Sequence, residues 1–90
     1  MRALIVRAPY AAQIMNDLKP IEYRCRATNV RGRIGIIEGG TGTVIGEVTL
    51  TGCQPGEGCY NWLLSNSLKY TKPRPYRHPP GAVVWVNLAD

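Results

Sequence analysis

One stretch of this sequence carries apolar residues at helical spacing, and a proline stands at each end of it. Pro9 suits the first turn of a helix, and Pro20 cannot continue one. The apolar stripe between them consists of Ala11, Ile14, Met15 and Leu18. We therefore predict one short helix early in the chain, which has to bury its stripe against neighbouring strands.

Most other patterned segments are typical of strands. Residues 3–6 and 33–38 are short β-branched runs, and residues 43–51 alternate between an apolar and a polar face. Residues 82–88 are apolar on both faces, which predicts a central or barrel strand. Residues 60–68 fit either a helical turn or an irregular strand.

Two segments have the composition of loops. Residues 54–58 are rich in Gly and Pro, and the prolines within residues 70–81 predict an extended loop with few ladder hydrogen bonds. Several short strands and one helix in so few residues favour a barrel, because closure hides the edges of a sheet. We predict a single α+β domain over residues 1–90, a small β-barrel with one N-terminal helix packed beside it.

The basic residues are clustered. The net charge is +5, from eleven Lys and Arg against six Asp and Glu. Eight of these cations lie in two short windows, namely Arg24, Arg26, Arg31 and Arg33 in the first and Lys69, Lys72, Arg74 and Arg77 in the second. Polyanion binding is the functional interpretation, and a solvated surface that keeps a small protein soluble is the alternative.

Aromatic residues near these cations predict base stacking. Tyr60, Trp62 and Tyr76 are the candidates, although Trp62 also suits a core position in so small a domain. The predicted nucleic-acid-binding residues are Arg24, Arg31, Arg33, Tyr60, Trp62, Lys72, Arg74, Tyr76 and Arg77.

Residues 21–26 should be extended, so Glu22 and Arg24 share one face. They can line a pocket with Lys19 nearby, or they can form only a surface ion pair. Glu47 is the lone acid of its strand, where it can pair with an arginine across the sheet or accept hydrogen bonds from a base edge.

The cysteines predict neither a disulfide framework nor a metal site. Cys25, Cys53 and Cys59 are odd in number, and no CxxC pair accompanies His78. We therefore expect ordinary thiols, no metal and no cofactor. No run of residues is long and apolar enough for a membrane helix or a signal peptide, so we expect a cytoplasmic protein that does not contact membranes.

Six short motifs occur in an order that resembles one family. They are PY at 9–10, KPIEYR at 19–24, RGRIGI at 31–36, TVIGEV at 43–48, YNW at 60–62 and GAVVWV at 81–86. Together they resemble the ASCH family, whose members are similar to PUA domains. The resemblance implies a PUA-like barrel with a cleft between the first helix and the barrel, used for RNA or a modified base.

The same resemblance implies possible chemistry. Some ASCH-like proteins are amidohydrolases that remove an acetyl group from acetylated cytidine, and others are described as ribonucleases. If this chain is an enzyme of that kind, its catalytic residues are Lys19, Glu22 and Glu47. Lys19 matches the lysine of the amidohydrolase subgroup, but Glu22 stands where that subgroup has its threonine.

We therefore expect an RNA- or nucleobase-binding module that uses a basic cleft near the first helix. A small hydrolase acting on RNA or on a modified nucleoside is the second hypothesis. A phage or mobile-element protein that binds an acidic partner is the third. The sequence leaves the oligomeric state open.

Overall fold

The computed structural model of the protein describes residues 1–18 and 20–88. Within these residues, one short helix accompanies a six-stranded sheet. The elements in chain order are β1 (Arg2–Val6), α1 (Tyr10–Met15), β2 (Ile21–Arg24), β3 (Gly32–Glu38), β4 (Thr43–Pro55), β5 (Tyr60–Pro75) and β6 (Trp85–Asn87). The predicted opening of strand, helix and extended segment is confirmed.

The strands lie in the order β2, β5, β4, β3, β1, β6 across the sheet. β1 runs parallel to β3, and the other neighbouring strands are antiparallel. Three register shifts interrupt the pairing of β4 with β5, and another lies between β3 and β4. Because such irregularities bend and twist a strand pair, the sheet curls into a half-barrel, in agreement with the predicted barrel-like α+β fold.

Side chains connect the two ends of the curled sheet. The indole rings of Trp62 on β5 and Trp85 on β6 stack with their centroids 5.7 Å apart and their planes 11° apart. Arg24 on β2 donates from Nη2 to the carbonyl oxygen of Ile5 on β1, at 2.7 Å. The curl therefore brings β2, at one edge, close to β1 and β6 at the other.

The main core lies between α1 and the face of the sheet that the helix covers, here called the inner face. Its buried strand residues are Leu4, Val6, Ile34, Ile36, Val48, Leu50, Trp62 and Leu64. The helix contributes Ala11, Ile14 and Met15. Close approach depends on Gly46, where a Cβ would overlap Met15 Sδ and the carbonyl oxygen of Leu68.

A second cluster covers the opposite side of the sheet, here called the outer face. Its buried residues are Ala3, Ile37, Val44, Tyr70 and Val86. Successive side chains of a strand point to opposite faces, which is why Ala3 belongs to this cluster while Leu4 belongs to the main core. Both faces of β1 are therefore packed.

The helix ends earlier than the sequence predicts. It stops at Met15, and Leu18, expected in the apolar stripe, is 75% exposed. Asp17 adopts a left-handed conformation with φ of 59°, and the amide of Leu18 donates to the carbonyl oxygen of Gln13 at 2.9 Å. This hydrogen bond is typical of a Schellman motif, which terminates the helix before Pro20 can do so.

Strand β5 is longer than the sequence predicts. Of the two possibilities for residues 60–68, the structure has the strand, and it continues through Pro75. The prediction of a loop from residue 70 onward was therefore wrong for Tyr70 to Pro75, although the predicted scarcity of ladder pairs holds for residues 70–73, which have no ladder partner on β4. Because β2 pairs only with residues 60–63, the later part of β5 has one open side, where prolines are tolerated.

The last strand is shorter than predicted and lies at an edge. Only Trp85–Asn87 pairs with β1. Of the predicted central or barrel strand over residues 82–88, the central position was wrong, and the strand lies at an edge of the half-barrel. Val83 and Val84 are exposed and precede the strand. The predicted loop at residues 54–58 is also shorter, because β4 continues to Pro55.

Candidate nucleic-acid interface

A cleft of about 680 Å³ opens beside α1, and we call it the helix-side cleft. Its lining residues are Ile5, Val6, Arg7, Tyr10, Gln13, Glu22, Tyr23, Arg24, Gly39 and Val83. The predicted pair Glu22 and Arg24 lies within it. Lys19, the third residue predicted for this cleft, lies outside the described residues.

Glu22 and Arg24 form a largely buried ion pair in the cleft. Glu22 is 5% exposed and occupies the inner face, since its cross-strand neighbour is the core residue Trp62. Arg24 Nε donates to Glu22 Oε2 at 2.9 Å, and the guanidinium carbon lies 5.7 Å from the centroid of the Trp62 ring. Together with the hydrogen bond to Ile5, these contacts fix the guanidinium in one position.

Two tyrosines beside this ion pair expose much of their surface. Tyr10 begins α1 and is 44% exposed, and Tyr23 lies between Glu22 and Arg24 on β2 and is 58% exposed. The sequence did not single out either residue. Alternation predicted that Tyr23 points to the face of β2 opposite Glu22 and Arg24, so the sequence carried no signal that it lines the same cleft.

Glu47 belongs to a different part of the molecule. Its neighbour Val48 is on the inner face, so Glu47 is on the outer face. Tyr70 donates its hydroxyl to Glu47 Oε2 at 2.7 Å, and Arg33 donates from Nε to Oε1 at 2.9 Å. Glu22 and Glu47 thus face opposite sides of the sheet, and the acids predicted for catalysis do not share one cleft.

Hydrogen bonding shifts the pKa values of this outer-face pair in opposite directions. The hydrogen bonds from Tyr70 and then Arg33 hold the pKa of Glu47 below its ordinary value. Burial, and secondly the hydrogen bond to Glu47, raises the pKa of the Tyr70 phenol. At neutral pH the carboxylate is therefore ionised and the phenol is a donor, which keeps the Tyr70 ring in place.

The arginines of the first basic window have different surroundings. Arg33 is engaged by Glu47 and also donates to Thr49 Oγ1 at 3.1 Å. Arg31 is exposed, and its Nη1 donates to the carbonyl oxygens of Thr28 at 2.9 Å and Val30 at 2.7 Å. Of these two predicted phosphate contacts, Arg31 is the more accessible to a ligand.

Trp62 and Tyr60 pack against the protein itself. Trp62 is 2% exposed, stacks on Trp85 and donates from Nε1 to the carbonyl oxygen of Arg26 at 2.9 Å. Tyr60 is half-buried against the main core. This geometry favours the core role for Trp62 over base stacking.

The predicted residues of the second basic window lie around a different cavity, of about 670 Å³, which we call the outer-face cavity. Arg74, Tyr76 and Arg77 line it, while Lys72 lines an adjoining shallower depression together with Arg74. Arg74 therefore lies on the ridge between two concave surfaces.

Other classes of site find little support in the part of the chain that the structure describes. Cys25, Cys53 and Cys59 are free thiols. Within residues 1–18 and 20–88, no three His, Cys, Asp or Glu side chains come together as a metal site. In the same residues, no helix combines the length and apolar character needed to span a membrane.

Comparison with known families identifies a match. The family model described as ASCH domain matches residues 4–84, which is most of the chain. No curated protein matches the chain significantly.

Proposed function

Since this chain belongs to the ASCH domain family, we propose that it binds single-stranded RNA, or one modified nucleobase, in the helix-side cleft. The family indicates an RNA-binding type of module in general terms. The observation that carries the proposal is the largely buried Glu22–Arg24 ion pair in a cleft that the exposed Tyr10 and Tyr23 also line.

This arrangement suits an unpaired base. Sequence-specific RNA recognition mostly uses splayed bases that stack on aromatic rings and form hydrogen bonds through their edges. Tyr10 and Tyr23 offer rings at the cleft, and a carboxylate beside a guanidinium offers both an acceptor and donors. Because the guanidinium is held by Glu22 and Ile5, the base edge meets groups that are already oriented.

Phosphate contacts are proposed for exposed cations outside the cleft. Arg31 and Lys72 are exposed and line neither the helix-side cleft nor the outer-face cavity, and the chain has a net charge of +5. Such contacts release counterions from RNA, so affinity should fall with salt by about 0.7 log units per log unit of salt for each phosphate neutralised. An affinity that does not change with salt would contradict this part of the proposal.

Catalysis is the less favoured function. A hydrolase that uses Glu22 and Glu47 as an acid–base pair needs both carboxylates at one reacting centre. Glu47 instead holds Tyr70 and Arg33 on the outer face. Binding is therefore the function that the described side chains favour.

We extend the proposal to the architecture and the compartment. The strand–helix–strand opening and the curled sheet support a PUA-like domain that includes the whole chain. The free thiols of Cys25, Cys53 and Cys59 suit a reducing compartment such as the cytoplasm.

The test is the affinity of the chain for a fluorescein-labelled single-stranded RNA of six to eight nucleotides, measured by anisotropy. Tyr23→Ala removes an exposed ring without opening the core, and it should weaken binding roughly 5- to 150-fold, the equivalent of one stacked base. Leu18→Ala is the matched control, because Leu18 is exposed outside the cleft and its loss should change affinity by less than about twofold.

Circular dichroism and the urea midpoint should show that Tyr23→Ala remains folded. Equal affinities of the wild type, Tyr23→Ala and Leu18→Ala would contradict the proposed cleft. A weak effect of both variants with undiminished salt dependence would indicate binding by the surface cations alone.

A further inference from the structure

The outer-face cavity has the size and chemistry of a second ligand site. Its volume of about 670 Å³ lies within the range of roughly 300–1,000 Å³ that small-molecule sites occupy. The apolar part of its lining is provided by Val44 and Leu88, and the cationic part by Arg74 and Arg77. An apolar surface beside cations suits a ligand that has a ring at one end and an anionic group at the other.

Arg74 is positioned before any ligand arrives. Its guanidinium carbon lies 3.9 Å from the centroid of the Tyr70 ring, a close cation–π contact. Tyr70 is itself fixed, because its ring is buried and its hydroxyl donates to Glu47, which Arg33 also holds. The contact with the fixed ring restricts the position of the guanidinium at the border of the cavity.

The opposite wall of the cavity is also ordered. Tyr76 is half-buried, and its hydroxyl is hydrogen-bonded to His78 Nδ1 at 2.8 Å. His78 Nε2 lies 2.9 Å from the carbonyl oxygen of Ala82, so it carries the proton and Nδ1 accepts from Tyr76. This chain of hydrogen bonds holds the phenol ring of Tyr76 as a fixed surface of the cavity.

We propose that the outer-face cavity binds a nucleotide with a terminal phosphate. Arg74 and Arg77 hold the phosphate, since a guanidinium can donate two parallel hydrogen bonds to its oxygens. The base or the ribose lies against Tyr76 and Leu88. The nucleotide is either free or the phosphorylated end of an RNA, and both present the same chemistry.

The inference rests on the proposed function only in choosing a nucleotide as the ligand. Its site is separate, because none of the residues that line the outer-face cavity also lines the helix-side cleft. The two sites can therefore be tested by different probes and by different variants.

The probe is adenosine 5′-monophosphate, titrated into the ¹⁵N-labelled full chain and followed by amide chemical shifts. The expected shifts are concentrated in residues 70–77 and at Asn87 and Leu88. Adenosine and inorganic phosphate, titrated separately, should each bind at least about tenfold more weakly, because each lacks one half of the contacts. Equal binding of either compound would overturn the proposal.

Arg77→Ala is the first variant, because Arg77 is exposed and its loss should leave folding unchanged. Arg74→Lys is the second, since it keeps the charge over the Tyr70 ring but removes the two-pronged donor. Each should weaken nucleotide binding about tenfold. Arg26→Ala, which removes an exposed cation that does not line the cavity, is the control and should bind as the wild type does.

Wild-type affinity in both Arg77→Ala and Arg74→Lys would overturn the proposal, as would shifts confined to the helix-side cleft. The second outcome would leave the proposed RNA cleft intact. Conversely, Tyr23→Ala should bind adenosine 5′-monophosphate as the wild type does, even though it loses RNA binding. A 5′-phosphorylated trinucleotide that displaces the mononucleotide, while its 5′-hydroxyl form does not, identifies an RNA end as the ligand.

Discussion

The helix-side cleft and the outer-face cavity have nearly equal volumes, about 680 and 670 Å³, but they organise charge differently. In the cleft, the guanidinium of Arg24 is neutralised by the adjacent carboxylate of Glu22. In the cavity, Arg74 is held by an aromatic ring, while the nearby Glu47 is engaged by Arg33 and Tyr70. A neutralised pair suits contacts with the edge of a base, whereas a cation that forms no salt bridge with a carboxylate of the described residues suits a phosphate.

The largest expected effect tests the neutralised pair. Glu22→Ala leaves the guanidinium of Arg24 beside the core without its counter-charge, which should lower the free energy of unfolding by about 3 kcal/mol. Urea unfolding followed by tryptophan fluorescence measures this change. Glu57→Ala is the matched control, because that carboxylate is exposed in the β4–β5 turn.

If Glu22→Ala and Glu57→Ala both lowered the free energy of unfolding by less than about 0.5 kcal/mol, the contrast between the cleft and the cavity would not hold. This result would mean that the ion pair in the cleft is a solvated surface pair, which was the alternative that the sequence left open.

A smaller effect on the free energy of unfolding is expected at the outer face, where the ring and the hydroxyl of Tyr70 make different contacts. Tyr70→Phe keeps the ring beneath Arg74 but removes the hydrogen bond to Glu47, and it should lower the free energy of unfolding by about 1–2 kcal/mol. Nucleotide binding should change by less than about threefold, since the cation–π contact remains. A tenfold loss of nucleotide binding would show that the hydroxyl, and not the ring, positions the guanidinium.

The smallest effect is a pH dependence carried by Glu47. Because its folded-state pKa is lowered, the unfolded chain binds the proton more readily, so this stabilisation is present above the ordinary pKa of 4.5 and is lost as the pH falls through the folded pKa. The free energies of unfolding of the wild type and Glu47→Gln, obtained from urea titrations, should differ by under about 1 kcal/mol at pH 7 and converge in acid. A difference that grows as the pH falls would contradict the sign.

Local patterns predicted the parts of the fold that local chemistry controls. The alternation over residues 43–51 lies within β4, and the apolar run at residues 3–6 lies within β1. The end of α1 escaped prediction, because Asp17 takes the left-handed conformation that usually calls for glycine. The end of β5 was predicted as a loop because of Pro73 and Pro75. Only the pairing of Arg74 and Pro75 with β4 shows that the strand continues there.

The candidate sites were predicted only in part, because alternation is also a local pattern. Alternation assigned Glu22 and Arg24 to one face, but it does not say which face of a strand is buried. The inward orientation depends on Ile5, nineteen residues away in the chain, whose carbonyl oxygen accepts from Arg24. The separation of Glu47 from Glu22 likewise follows from which face of β4 and which face of β2 the main core covers, and alternation alone does not specify this.

Amide chemical-shift mapping of the ¹⁵N-labelled chain with a six-nucleotide single-stranded RNA tests the central claim most directly. The largest shifts are expected on Arg7, Tyr10, Gln13 and residues 22–24, around the helix-side cleft. Shifts at the outer-face cavity should be present only when the RNA carries a terminal phosphate. RNA binding that leaves the amides of the helix-side cleft unshifted would contradict the claim.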